Sequence, residues 1–528
     1  MKFQLLANTL SHLKFRQMAY QLYYRLYKPK FKLYLYHNDV NSKNLEECIS
    51  KYDSMKNEST FHFLNIKSSF ISWNFTGNGM LWAYNLNYMD WLCQNNLPFK
   101  IGVIWIEKFI DDITTNKVGL DPYPIALRGI NWIKFIIKHY GSVEPDRLKR
   151  WNDFLYSQYK LLEKKLEWHL LGNHLLEDAY SLYMASIYFN DKKMYISYSK
   201  LLEKQLNEQI LLDGAHYEQS PMYHCILLDR LLDCCNMSFN NILFTRQKEF
   251  NSFLKEKASV MLGHLESIIY RNGDIPLLND SVYGIAPSSS ELFDYAKRLG
   301  IQWKKLTLQE CGYRKWDVGK FEVIIDVGDV KATYQPGHTH ADTFNYELRI
   351  NGNPFIIDTG ISTYNKTERR QYERSSMAHN TVVVNNMDSS EVWGGFRVGK
   401  RAKVKVLEIS RRFIKAFHRG FGYSHLHTRV FNLSNYDEFV IEDSVNGICD
   451  SISYIHLAPN VQILSNSKTK ICTNLGTITI KNADSVVVSD ETISFEYNSF
   501  KSIKVIKIKF LDKLTYKIIP INENIIPN

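Results

Sequence analysis

No run of about 18 consecutive apolar residues occurs anywhere in the chain, so the sequence offers no membrane-spanning helix. The first segment, MKFQLLANTLSHLKFRQMAYQLYYRLYKPKFKLYLYH, is interrupted by Asn8, His12, Lys14 and Arg16. It has neither the continuous apolar core nor the small-residue cleavage site of a secretory signal. It reads as a basic, aromatic amphipathic helix resting on the protein's own body, with peripheral membrane contact as the alternative. The eight cysteines are scattered, and only Cys234 and Cys235 adjoin. That excludes a disulfide framework and a CxxC zinc ribbon, and free thiols match a reducing compartment. Dense Lys/Arg runs and nucleic-acid-binding modules are missing, which argues against a nucleic-acid partner. GxSxG, Walker A and HExxH are missing too, removing serine-hydrolase, P-loop and zincin chemistry. No fixed-period repeat is visible.

What is present has the composition of an ordinary globular protein, 45% hydrophobic and 23% charged. At about 150 residues per domain, 528 residues suggest two or three units. Lys and Arg number 65 against 55 Asp and Glu, a surplus of +10 that favours an anionic partner such as an acidic polysaccharide. The sharpest basic cluster is Arg397–Lys405, and a plain solvated surface is the bland alternative. Aromatic residues make up 14% of the chain, which suits sugar stacking and a large core alike.

Periodicity divides the chain. From about residue 80 to 310, segments such as YPIALRGINWIKFIIKHY and HLLEDAYSLYMASIYF repeat apolar residues at i, i+3 and i+4, predicting successive helices joined by short turns. After about Lys320 the segments are short, β-branched and alternating, as in FEVIID, TVVV and IKVIKIKF, with an Asn351-Gly352 hairpin signal. The fold class is therefore α+β multidomain, a curled helical half followed by an antiparallel β-sandwich. The expected boundaries are a helical extension over 1–80, a helical domain over 81–315 and a β domain over 316–528.

Three motifs carry candidate chemistry. In Leu171-Gly-Asn-His-Leu-Leu-Glu-Asp178, Asn173 is either a helix N-cap or an amide donor to an anion, with His174 and Glu177 close by. In Asp213-Gly-Ala-His-Tyr-Glu-Gln-Ser-Pro-Met-Tyr-His224, Ser220-Pro221 predicts a helix start that places Tyr223 and His224 in the first turn, behind His216 and Glu218. In Gln335–Gly360, His338 and His340 are two apart and share a face if the stretch is a strand, while Asp358 lies across the hairpin. With His379 these supply two-His-plus-Asp zinc chemistry, and Asp342 is a supporting carboxylate. Satisfied core histidines are the competing reading. Arg374 is read as a carboxylate binder or an exposed cation, Asn279-Asp280-Ser281 as a loop or cap, and Trp82, Tyr84 and Trp132 as cleft walls or core.

Taken in order, GNHLLED, DGAHYEQSPMYH, GHTHADTFNYELRINGNPFIIDTG and SSMAHNTVVVN resemble the heparinase II/III family of polysaccharide lyases, from about Trp82 to Asp437–Asp443. The resemblance implies an incomplete α/α toroid followed by an antiparallel β-sandwich. It also implies β-elimination: a base removes the C5 proton of a uronic acid and the C4–O bond breaks. It assigns Asn173 to the substrate carboxylate with His174 nearby, Tyr223 to base or acid, and His338 to the second proton transfer. Substrate contacts are expected from His174, His216, Glu218, Arg374 and Trp82. His340, Asp358 and His379 match the family's metal set, usually zinc (Zn2+) and mainly structural. Without a recognised signal, the expected location is the cytoplasm or the membrane periphery rather than the periplasm. The expected substrate is a bacterial capsular or exopolysaccharide rather than heparin. Two other classes compete: a non-catalytic glycan-binding or assembly protein, and a cupin-like metal oxygenase.

Overall fold

The computed structural model describes residues 2–521 apart from 39, 41–43 and 448. Helices α1 (Lys2–Leu10) and α2 (Phe15–Leu26) open the chain, followed by a small antiparallel sheet of β1 (Met55–Asn57), β2 (Thr60–Phe63) and β3 (Ile66–Ser69). The segment 1–80 is thus not a purely helical extension. The Leu64-Asn65 pair, both at positive φ, turns β2 into β3, and the sheet buries Phe61 and Phe63 against Trp82, Trp91 and Trp105.

Among the described residues nine α-helices follow before the β half: α3 (Met80–Tyr88), α4 (Phe99–Asp112), α5 (Pro122–Lys138), α6 (Pro145–Leu162), α7 (Gly172–Tyr188), α8 (Lys192–Gln209), α9 (Pro221–Phe239), α10 (Gln247–Ile268) and α11 (Ser289–Arg298). Local chemistry fixes their starts. Proline occupies the first turn of α5, α6 and α9, where its missing N–H costs nothing. The Asp191 carboxylate accepts from the Lys193 and Met194 N–H groups to open α8. Ser288 and Glu291 form a capping box at α11. α7 is buried on nearly every face and packs against α5, α8 and α9. Its polar residues Asn173, Glu177, Asp178, Ser181 and Ser186 are therefore buried along with the apolar stripe.

The β half begins at β4 (Tyr313–Val318), which straddles the expected boundary between residues 315 and 316. β4, β5 (Phe321–Asp326), β6 (Tyr346–Ile350) and β7 (Asn353–Ile356) form an antiparallel sheet in that order. Asn351 and Gly352 adopt φ of 51° and 78°, the positive values a tight hairpin needs. β8 (Val382–Val384) edges a second four-stranded sheet completed by Ser451–His456, Ser499–Phe510 and Ser485–Glu496. An eight-stranded antiparallel sheet includes His427–Asn432, Phe439–Val445 and Lys513–Pro520. Val383 and Ile506 from the smaller sheet, Tyr346 and Leu348 from the β4–β7 sheet, and Phe431, Ile441 and Ile518 from the larger share one apolar core. A short helix, α12 (Glu368–Glu373), crosses back towards the helical half.

Candidate active site

The longest irregular stretch of the β half, between β5 and β6, carries His338 and His340. The expectation that these two share a strand is therefore wrong. They are brought together by a common partner instead, the carboxylate of Asp280 in the loop before α11. His338 Nδ1 lies 2.8 Å from one Asp280 oxygen and His340 Nε2 lies 2.8 Å from the other. The Arg370 guanidinium of α12 adds a two-pronged bond to the same carboxylate, 2.7 Å on one side. Burial opposes ionisation of Asp280, but Arg370 and the two imidazoles outweigh it and hold the acid well below the usual carboxylate range. Asp280 was read from the sequence only as part of a loop or cap. It is the residue that orients both histidines.

An ionised Asp280 accepts from His338 Nδ1–H, so the lone pair of a neutral His338 sits on Nε2. That atom is 3.3 Å from Asn173 Nδ2 and 3.4 Å from Glu218 Oε2. Asn173 is not an N-cap. It lies in the first turn of α7, where its backbone N–H and its side-chain amide both donate to Glu218, each at 2.9 Å. Gly172 favours this arrangement: at φ +60° a side chain is strained, and a Cβ would stand 2.5 Å from Glu218 Oε1 and push the carboxylate off the Asn173 N–H.

Tyr223 sits in the first turn of α9, capped by Ser220 as the sequence predicts. Its ring stacks on His338 with centroids 3.8 Å apart. The Tyr364 hydroxyl donates to the Tyr223 oxygen at 3.2 Å and lies 3.5 Å from His338 Nδ1. Burial pushes the Tyr223 phenol up, so it is protonated at neutral pH. His174 pairs with Glu167 at 3.1 Å, and this carboxylate raises its pKa against the effect of burial.

These groups converge on a cavity of about 500 Å³ lined by Asn173, His174, Glu218, Tyr223, His338 and Tyr364, with Tyr84, Tyr88, Tyr123 and Arg230 further along. Tyr364 and Arg230 carried no signal in the sequence, since neither lies in a recognisable motif. Three expected substrate contacts are not there. His216 is buried beside Gln209 at 2.9 Å, and burial lowers its pKa to about 4. Arg374 is buried and donates to the Thr339 carbonyl, so the expected carboxylate binder is a brace for the histidine loop. Trp82 donates to the Ile66 carbonyl and packs on Phe63, a core role. Trp132 is likewise core.

The expected metal residues lie behind His338. His379 Nδ1 is 2.8 Å from Asp358, whose carboxylate also accepts from the Gly360 N–H at 3.1 Å. The His340 and His379 rings are 5.2 Å apart. His340 Nδ1, His379 Nε2 and Asp342 Oδ2 are buried without a partner, which is the donor chemistry a zinc ion takes. The atoms have not closed into a ligand shell. Among the described residues, the donors that lie within 4.8 Å of one another are those of Asp213, His264 and Cys311, and none of these three lines the cavity.

Comparison with known proteins gives a consistent picture. The family model described as Heparinase II/III N-terminus matches residues 128–297, and that described as Heparinase II/III-like, C-terminal, matches residues 302–507. A heparin-sulfate lyase of Bacteroides stercoris is 23% identical over 349 residues, covering 55% of this chain and 51% of the relative. The chain thus spans about half the length of that relative. A crystal structure of heparinase III superposes with a TM-score of 0.73 at 15% identity, over 96% of this chain and 89% of the other. A chondroitin AC lyase of Streptomyces coelicolor, in complex with chondroitin sulphate, reaches 0.51 at 8% identity over 89% and 78%. None of the helices among the described residues is long and apolar enough to cross a membrane.

Proposed function

The chain belongs to the heparinase II/III-like family, and on that premise we propose that it is a polysaccharide lyase, a carbon–oxygen lyase cleaving a uronate-containing glycan by β-elimination. The observation that carries this reading is the stack of Tyr223 on His338 beside Asn173 and Glu218 at the cavity wall. In this reading the helical half is the family's incomplete α/α toroid and the β half its sandwich. The names of the relatives, heparin-sulfate lyase and chondroitin lyase, support an acidic glycan as the substrate class.

The C5 proton of a uronate is hard to remove until its carboxylate is neutralised. Asn173 has one amide N–H engaged by Glu218 and a second facing His338 Nε2. A substrate carboxylate entering between them takes over that second donor, and one such donor is worth about 10²–10³-fold in rate. His338 Nε2 then accepts the C5 proton. The electron pair of the C5–H bond forms the C4–C5 double bond, and the C4–O4 bond breaks. Tyr223 gives its proton to O4, matching a phenol that burial keeps protonated. Asp280 and Glu218, on either side of His338, stabilise the imidazolium, and the Tyr364 hydroxyl stabilises the phenolate. Proton return from imidazolium to phenolate resets the site.

The cavity favours a glycan whose charge is mainly carboxylate. Among the described residues its lining holds one arginine, Arg230, and no lysine, and Arg230 already donates to Asp229 at 3.0 Å. A heavily sulfated chain would lack counter-charges there. A capsular or exopolysaccharide of bacterial origin, met in the cytoplasm or at the membrane periphery, is the substrate in this proposal. Zinc held by His340, Asp358 and His379 belongs to it as a structural ion. Its support is the pair of unpartnered imidazole nitrogens, His340 Nδ1 and His379 Nε2, the latter left free while Nδ1 bonds Asp358. When bound, zinc would brace the loop that carries His338.

Incubation with unsulfated and sulfated uronate glycans tests the reading. The expected result is growth of ultraviolet absorbance from the conjugated double bond, fastest with the unsulfated chains. Binding without absorbance, unchanged in Tyr223→Phe and His338→Ala, would mark a non-catalytic glycan-binding protein instead.

A further inference from the structure

Helix α2 has two faces with different fates. Leu13, just before it, and Gln17, Tyr20 and Tyr24 follow one another at i, i+4, i+7 and i+11 and face the protein. Gln17 is buried and donates to the Leu170 and Tyr334 carbonyls at 3.1 and 3.3 Å, while the Tyr24 hydroxyl donates to the Leu166 carbonyl at 2.6 Å. These bonds fix the helix in rotation as well as in position. The opposite face is apolar and open: Phe15 is 81% exposed, Leu22 60% and Leu26 81%, with Met18 between them at 42%. Their spacing of three, four and four residues is a single helical stripe. A helix already docked by its polar and aromatic side has no folding reason to keep large apolar residues outward.

The charge that this segment itself carries is of one sign. The first 38 residues contain seven Lys and Arg (Lys2, Lys14, Arg16, Arg25, Lys28, Lys30 and Lys32) and no Asp or Glu. Arg25, Lys28, Lys30 and Lys32 are exposed, and exposed Leu33 and Leu35 alternate with the last of them. Lys14 pairs with Glu208 and Arg16 stacks on Trp168, so they serve the docking side.

We propose that α2 and the segment after it form a surface that binds the headgroup and acyl boundary of an anionic lipid bilayer, with Phe15, Met18, Leu22 and Leu26 inserted and the cations on the headgroups. A protein partner or a second copy would satisfy the apolar stripe but gives no reason for the unbroken positive charge. A soluble polyanion satisfies the charge but not the stripe. The lipid surface satisfies both. This proposal is independent of the lyase reading, because none of these residues lines the cavity.

Co-sedimentation of the full chain with vesicles tests it. Vesicles of phosphatidylglycerol and phosphatidylcholine should carry the protein down at low salt and less of it at high salt, and vesicles of phosphatidylcholine alone should carry little. Leu22→Asp with Leu26→Asp should weaken the partition by about tenfold or more, with circular dichroism unchanged since both side chains face solvent. Lys28→Gln with Lys30→Gln and Lys32→Gln should weaken it and flatten the salt dependence. The proposal is overturned if the wild-type chain ignores anionic vesicles, or if the double aspartate variant sediments as the wild type does. It is overturned equally if that variant only converts a dimer to a monomer with vesicle binding unchanged.

Discussion

Asp280→Asn is the most informative single change, because one carboxylate serves three partners. The side chain keeps its shape and loses its charge. Arg370, fully buried, is left without its counter-ion, and breaking such a buried pair costs about 3–5 kcal/mol. At His338 the loss is of a different kind. An amide turned to donate to Nδ1 moves the imidazole proton to Nε2, the atom that faces Asn173 and the cavity. A base with its lone pair turned away should lose about 10²–10⁴-fold in turnover. KM should change little, since Asn173, Glu218 and Tyr223 keep their places. The sign of the pH dependence follows from the depressed acid. Its stabilisation is fully present above the ordinary aspartate value of about 3.9 and disappears as pH falls below it towards the folded value. The stability gap between wild type and variant should therefore be constant from neutral pH to about 4 and close only in stronger acid. Thermal melting across pH, with kcat and KM per folded molecule, measures both parts. A variant that melts with the wild type, or loses stability yet turns over normally per folded molecule, would refute the role given to Asp280.

Other substitutions separate the remaining roles. Tyr223→Phe should lower kcat by about 10²–10⁴-fold with KM nearly unchanged, and Tyr364→Phe, which removes one hydrogen bond to the phenolate, by about tenfold; initial rates check both. His216→Gln should leave turnover near wild type. Because burial lowers the His216 pKa from 6.5 to about 4, this residue's stabilisation is present above pH 6.5 and lost as pH falls towards 4. The variant should show a shallower decline of stability over that window in melts. His340→Ala and His379→Ala should each abolish stoichiometric zinc, as measured by elemental analysis, and lower the melting temperature; equal metal in the wild type and both variants would dismiss the assigned ligands.

How much was visible beforehand depended on sequence distance. The helical and β halves, the Ser220-Pro221 helix start and the Asn351-Gly352 hairpin are local patterns, and each stands where the residues predict. Tyr223 was legible for the same reason, being fixed by its own helix cap. Asp280 was not, because its meaning comes from His338, His340 and Arg370, 58, 60 and 90 residues away. Arg370 and Arg374 lie one helical turn apart, and spacing alone gives no sign that the first reaches Asp280 while the second braces the Thr339 carbonyl. His338 and His340 alternate as strand residues do, yet they stand in an irregular loop held by side chains rather than by a ladder. Trp82 shows the limit of aromatic residues as sugar-cleft signals. At helical spacing a tryptophan in the core and one in a cleft look alike.

The central claim is elimination at a uronate by the Tyr223–His338 pair, and the masses of the fragments address it most directly. Digestion of an unsulfated uronate polysaccharide should release fragments whose new non-reducing ends are one water lighter than hydrolysis would leave, each carrying the ultraviolet-absorbing double bond. Fragments with the full hydrolytic mass, or an intact polymer after incubation with folded protein across the glycan panel, would contradict it.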